Sequence, residues 1–222
     1  MFCNYNYAPW TLAGLGVVAS LTDLYLDMAC PLVFNKWLLR LGICLVLGMT
    51  GFIIGGLLQK LSIRSHTDFL TGLWNRRYFY LRLNQEENRA TKRKTPLSIA
   101  LIDVDGFKTI NDTYGHAIGD ILLSDIAAIL KKNTRATAVV TRWGGDEFAI
   151  IFSETSLVEA SEVIDRVRYK VENAFSPYHL TISAGIIALK PDQDLKDLLI
   201  KADQALYKAK MQKNTTITVT DL

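Results

Sequence analysis

The chain has 222 residues, of which 50% are hydrophobic and 21% charged, with a formal net charge of +3 at neutral pH. That length and composition leave room for one ordinary globular domain plus a smaller part, and they exclude a disordered polymer. The small positive charge is not gathered into a basic face, so nucleic acid is not an expected partner.

Charge is unevenly spread along the chain. Residues 1–64 carry only Asp23 and Asp27 as acids and Lys36, Arg40, Lys60 and Arg64 as bases, which sets a physical boundary near Ser65. Trp10 to Ser20 is apolar, but Asp23, Asp27 and Pro31 interrupt the run. It reads either as a first spanning helix over about 9–26 or as the remnant of a larger sensor, and it lacks the basic start of a signal peptide. From Leu41 to Leu58 the run LGICLVLGMTGFIIGGLL has no charge, with Lys36 and Arg40 before it and Lys60 and Arg64 after it. A soluble helix of that length normally shows a polar face, so the run predicts a transmembrane helix over about 41–58. Gly51 and Gly55 form a G-x-x-x-G pair that would let two such helices approach closely, a weak signal by itself. Cys3, Cys30 and Cys44 lack zinc-ligand spacing and read as apolar fillers.

Residues 65–222 read as a second domain. Asp68 stands where an N-cap would precede a turn and a helix from near Arg76 to about Lys94, and Pro96 ends that run. LSIALID, 97–103, is a nearly continuous apolar strand of the kind covered on both faces. Helical spacing of Ile118, Ile121, Leu122, Ile126, Ile129 and Leu130 predicts a helix over about 117–132. Strands at 139–143 and 148–152 then form a hairpin through Gly144, Gly145, Asp146 and Glu147. An amphipathic helix from Leu157 to Ala174, a strand over 180–189 and a helix carrying Leu195 to Ala209 complete an α/β domain with a mixed central sheet.

Two segments look unsuited to pure structure: DVDGFKTINDTYGHAIGD, 103–120, and RWGGDEF, 142–148. Each puts acids beside glycines at the end of an apolar strand. Glycine lets the backbone approach a phosphate, and a carboxylate there binds a hard cation that bridges phosphate oxygens. Any one of these acids could equally be a turn residue or a cap. The Glu that follows the hairpin turn is not explained by turn chemistry.

Gly144 to Phe148 spell the signature of the GGDEF diguanylate cyclases, and the resemblance covers residues 66–214. DFLTGLWNRR, 68–77, resembles that family's opening motif, 103–120 its metal and guanine segment, and ADQALYKAK, 202–210, its closing helix. The resemblance implies the fold shared with class III nucleotide cyclases and polymerase palm domains. It implies a homodimer in which two GTP, one per monomer, condense to cyclic di-GMP with release of two pyrophosphates.

By position, Asp103 and Asp146 resemble the ligands of Mg2+ or Mn2+, with the Val104 carbonyl as a further ligand. Glu147 matches the second signature acid, for metal binding or hydroxyl activation. Asn111 and Asp120 match the pair that reads guanine, Phe107, Lys108 and Lys210 the contacts to the phosphates, and Arg142 could add to their positive field. His116, Tyr114 and Trp143 read as structural, and Asp105 and Asp112 as caps or supporting acids.

Two departures from the family pattern stand out. Lys213 and Asn214 replace its Gly-Arg, so Lys213 is the candidate to supply the missing charge. Of an inhibitory Arg-x-x-Asp product site, Arg135 is present but Ala138 stands for the Asp. The charge-free run over 41–58 together with the resemblance of 66–214 leads us to expect a bacterial inner-membrane protein with its catalytic domain in the cytoplasm. Alternatives are a catalytically silent, nucleotide-binding GGDEF domain and a structural membrane protein.

Overall fold

The computed structural model describes residue 21 and residues 36–64, 66–190 and 193–219, with side chains of the first helix described over 41–56. The chain divides into two compact units, Met1–Ser65 and His66–Leu222. In the first, helix α1 runs unbroken over Lys36–Arg64. Leu41, Leu45, Val46, Met49 and Phe52 on it are all more than half exposed. Cys44 is an exposed free thiol rather than a buried filler. Among the described residues no helix is long and apolar enough to cross a membrane, so the transmembrane helix expected over about 41–58 finds no support there. The earlier candidate, about 9–26, lies outside the described residues except at Leu21, as do Cys3 and Cys30.

The second unit is built on a six-stranded mixed sheet. Its strands are β1 (Trp74–Asn75), β2 (Leu97–Asp105), β3 (Val139–Gly144), β4 (Glu147–Ser153), β5 (Thr181–Ala188) and β6 (Thr216–Val219), in the spatial order β1-β3-β4-β2-β5-β6. β2 runs antiparallel to both β4 and β5, while the edge strands β1 and β6 run parallel to their neighbours β3 and β5. Every residue of β2 is buried, as its apolar run requires.

Alternation along β2 assigns the two faces. Ala100, Ile102 and Val104 join one core cluster, with residues of helices α4 (His116–Asn133) and α5 (Leu157–Ala174). Leu97, Ile99 and Leu101 join the other, with α2 (Arg76–Arg93) and α6 (Leu195–Gln212). Asp103 and Asp105 share the parity of the second set and so face α6. That helix lies directly on β5, because a Cβ at Gly185 would overlap the backbone at Ala202 and Leu206.

The helix expected near Arg76 begins there, but its N-cap is Asn75, whose side chain accepts the Tyr78 N–H. Asp68 instead accepts from the Thr71 N–H and hydroxyl, because Trp74 and Asn75 are drawn into the sheet beside β3. Helix α3 (Phe107–Tyr114) and strand β6 were not expected from the sequence pattern.

Candidate active site

The carboxyl-terminal end of β2 meets the β3–β4 turn and the last turns of α6. Asp103 lies opposite Glu147 in the β2–β4 register, which puts both side chains on one face. The Val104 N–H donates to the Asp146 carbonyl at 3.2 Å and ties the turn to β2. Gly145 adopts φ 54°, a backbone conformation that few side chains accept. On the α6 side, Lys210 Nζ stands 2.8 Å from Asp103 Oδ2.

Burial pushes the Asp103 carboxyl up to about 6, Asp146 and Glu147 add to the rise, and Lys210 opposes it. For Lys210, burial disfavours the ammonium, but the bond and charge of Asp103 together with Asp146 and Glu147 prevail and raise its pKa. Lys210 thus bonds one carboxylate and feels the charge of two more. Among the described residues no set of three or more His, Cys, Asp or Glu side chains is arranged as a metal cage. Magnesium needs no such cage, since it takes one or two carboxylates and leaves its other positions to water and phosphate. The surplus negative charge around a buried Asp103 is what a divalent cation would relieve, so the residues present fit one.

Gly106, at φ 72°, turns the chain from β2 into α3. The first N–H groups of a helix have no partner within it, so those of Phe107 and Lys108 are available at this corner. The Phe107 ring is itself buried in the core, and the Lys108 side chain is exposed. Asn111 on α3 lies against Gly119, one residue before Asp120 on α4, where a Cβ would overlap its Oδ1. Asn111 Oδ1 is buried without a hydrogen-bond partner, while Asp120 is exposed. An unpaired buried acceptor costs free energy until a donor reaches it, which suits a side chain held ready for a base edge.

The Arg142 Nε and Nη2 donate to the Gly145 carbonyl at 3.0 and 2.8 Å, and its Nη1 donates to Asp68 Oδ1 at 3.1 Å. The guanidinium is therefore engaged in holding the signature turn. Burial works against the Asp68 charge, yet the Thr71 bonds and Arg142 hold its pKa below the usual range. Trp143 packs edge-on against Phe79 and beneath the Arg76 guanidinium, a structural role as expected. Tyr114 is half exposed and meets Tyr178 edge-on, and His116 opens α4.

Lys213 and Asn214 both take positive φ, 54° and 45°. The Asn214 N–H donates to Asp105 Oδ2, which also accepts from Thr181 Oγ1, while Asp105 Oδ1 accepts from Ser183 Oγ. Asp105 thus takes the supporting role expected of it, with partners, Thr181, Ser183 and Asn214, that the sequence did not indicate. The two-residue spacing of Asp103 and Asp105 along a strand carried a signal for it, because it puts both carboxylates on one face.

These features define an α/β domain with an acidic, nucleotide-type site at the hairpin end of its central sheet. Residues 65–216 match the family model for the diguanylate cyclase GGDEF domain, and the chain belongs to that family. It is 42% identical to the response regulator PleD of Caulobacter vibrioides over 65% of this chain and 34% of PleD. With Diguanylate cyclase A of Treponema denticola it shares 38% over 69% of this chain and 44% of that one. The solved coiled coil and GGDEF domain of DgcB from Caulobacter crescentus, in complex with c-di-GMP, superposes with a TM-score of 0.73 at 26% identity, covering 81% of this chain and 99% of that one. The chain spans about a third of PleD's length and under half of the Treponema protein's.

Proposed function

We propose that the chain is an active diguanylate cyclase that condenses two GTP into cyclic di-GMP and releases two pyrophosphates. The observation that carries this reading is the bond of Lys210 to a buried Asp103 whose charge Asp146 and Glu147 disfavour, on a domain whose Asn111 Oδ1 is buried and unsatisfied. Asp103, Asp146 and the Val104 carbonyl would hold Mg2+ or Mn2+, which when bound supplies neutralising charge to the phosphates and favours loss of the attacking hydroxyl's proton. Lys210 and the first amides of α3 bind the phosphates, and Asn111 with Asp120 orients guanine by its donor and acceptor edge. Glu147 provides a third carboxylate, as a ligand or as acceptor of the 3′-hydroxyl proton.

One copy holds one nucleotide, so reaction needs two copies face to face, each 3′-oxygen attacking the other GTP's α-phosphorus. A homodimer thus supplies the second reactant in a fixed pose. The proposal extends to location. The charge-free run Leu41–Leu58, flanked by Lys36 and Arg40 on one side and Lys60 and Arg64 on the other, is the sequence feature behind this part of the proposal, a helix in the bacterial inner membrane with the catalytic unit in the cytoplasm.

The test is pyrophosphate release by the purified chain with Mg2+ and GTP. Release should require GTP rather than ATP, and specific activity should rise with protein concentration as the dimer forms. No release from folded, dimeric protein sinks the proposal, and a chain that stays monodisperse in solution without vesicles or detergent sinks its membrane part alone.

A further inference from the structure

Asp105 is only 8% exposed. Three donors from two separate parts of the chain converge on it: Thr181 Oγ1 at 2.7 Å and Ser183 Oγ at 2.8 Å from β5, and the Asn214 N–H at 2.9 Å from the turn after α6. That turn is held from its other side by Arg168 of α5, whose Nη1 donates to the Asn214 carbonyl at 3.1 Å and to its Oδ1 at 2.9 Å.

The turn needs holding. Lys213 combines φ 54° with ψ 159°, a region that belongs to glycine, and Asn214 follows at φ 45°. Asparagine tolerates a positive φ but lysine has no such latitude, so the surroundings must impose this backbone. The Lys213 N–H still closes α6 by donating to the Ala209 carbonyl at 2.9 Å, and the Ser183 Oγ lies 3.5 Å from that same carbonyl. Lys210, the next residue, reaches Asp103. A short covalent path of four peptide bonds therefore joins Asn214, which Asp105 grips, to Lys210, whose ammonium is at the site.

We infer that Asp105 is a positioning residue: by gripping the Lys213–Asn214 turn, with Arg168 as its counterpart, it sets the end of α6 so that Lys210 stands at the phosphate site. This rests on the reading of that site as a GTP site. Asp105 touches no substrate in this account and acts through Lys210 alone. Its carboxylate suits the task because it accepts all three donors at once, which an amide in its place could not do.

The experiment is a double-mutant cycle on the full chain with Mg2+, reading KM and kcat for GTP and the binding of a non-hydrolysable GTP analogue. Asp105→Asn should raise KM and the analogue's dissociation constant about tenfold, as loss of one charged contact does, with a much smaller change in kcat. Arg168→Gln, remote from the site, should move both in the same direction to a smaller extent. In a Lys210→Ala background neither substitution should add more than about twofold, because the group through which it acts is gone. Full additivity in that background, or unchanged GTP affinity in both single variants, overturns the inference while leaving the cyclase reading intact. Should Asp105→Asn fail to fold, Arg168→Gln carries the same cycle. Wild-type protein that binds no GTP analogue overturns both readings.

Discussion

Lowering pH should weaken divalent-metal binding about tenfold between pH 7 and pH 5, through one residue. Asp103 must be ionised to hold a cation, and burial with its acidic neighbours lifts its carboxyl to about 6. At that value roughly nine-tenths of the protein carries the carboxylate at pH 7 and roughly a tenth at pH 5, which gives the tenfold loss. Fold stability without metal moves the other way. A carboxyl raised on folding favours the protonated fold, so its stabilisation is complete below the unfolded value of 3.8 and is lost as pH rises through about 6. The difference is worth about 3 kcal/mol at most. Mn2+ binding followed by the electron paramagnetic resonance of the free ion, with circular dichroism to check folding, measures the first effect, and urea unfolding at the same pH values measures the second. In Asp103→Asn both dependences should flatten. Metal affinity that stays level from pH 7 to pH 5 in the wild type would refute the assignment of Asp103 as the titrating ligand.

Other outcomes follow from the same geometry. Asp146→Ala should lower turnover on the order of 10²-fold or more while the domain stays folded, since it removes a charge and opens no core cavity; retention of more than about a tenth of the activity contradicts its metal role. Gly119→Ala drives a methyl into Asn111 Oδ1 and should weaken GTP binding far more than ATP binding in a competition assay, whereas equal losses would count against the guanine assignment. Arg142→Lys should not rescue Arg142→Ala in a turnover assay, because a single ammonium cannot bond the Gly145 carbonyl and Asp68 together as the guanidinium does. Arg135 is exposed and 3.9 Å from Glu159, and Ala138 offers no carboxylate beside it, so inhibition by added cyclic di-GMP should be weak and Ala138→Asp should strengthen it at least about tenfold. Tight inhibition of the unmodified chain, lost in Arg135→Ala, would contradict that reading.

The long elements were legible because their periodicity is strong. The run Leu97 to Asp103 carried the central strand, and the helices around Ile126, Ile164 and Ala202 fell where their apolar spacing put them. Three elements were not legible. Trp74–Asn75 is too short to show alternation, α3 interleaves its apolar Phe107 and Ile110 with polar residues over barely two turns, and β6 is a half-buried edge strand that alternates threonine with Ile217 and Val219. At the site, the motifs singled out Asp103, Asp146, Asn111 and Asp120 as candidates, and the sheet pairing of β2 with β4 is what sets Asp103 beside the signature turn. The Arg142–Asp68 pair and the grip of Asp105 on Asn214 join positions 74 and 109 residues apart, and only the folded sheet brings them together. The Asp68 partner of Arg142 was not legible for that reason, because it lies in the opening motif.

The central claim is tested most directly by identifying the product. The full chain, incubated with GTP and Mg2+ and analysed by liquid chromatography with mass spectrometry, should yield cyclic di-GMP with two pyrophosphates per product molecule, and Asp146→Ala should yield none. Recovery of intact GTP from folded, dimeric wild-type protein, or accumulation of a different nucleotide, would contradict the account.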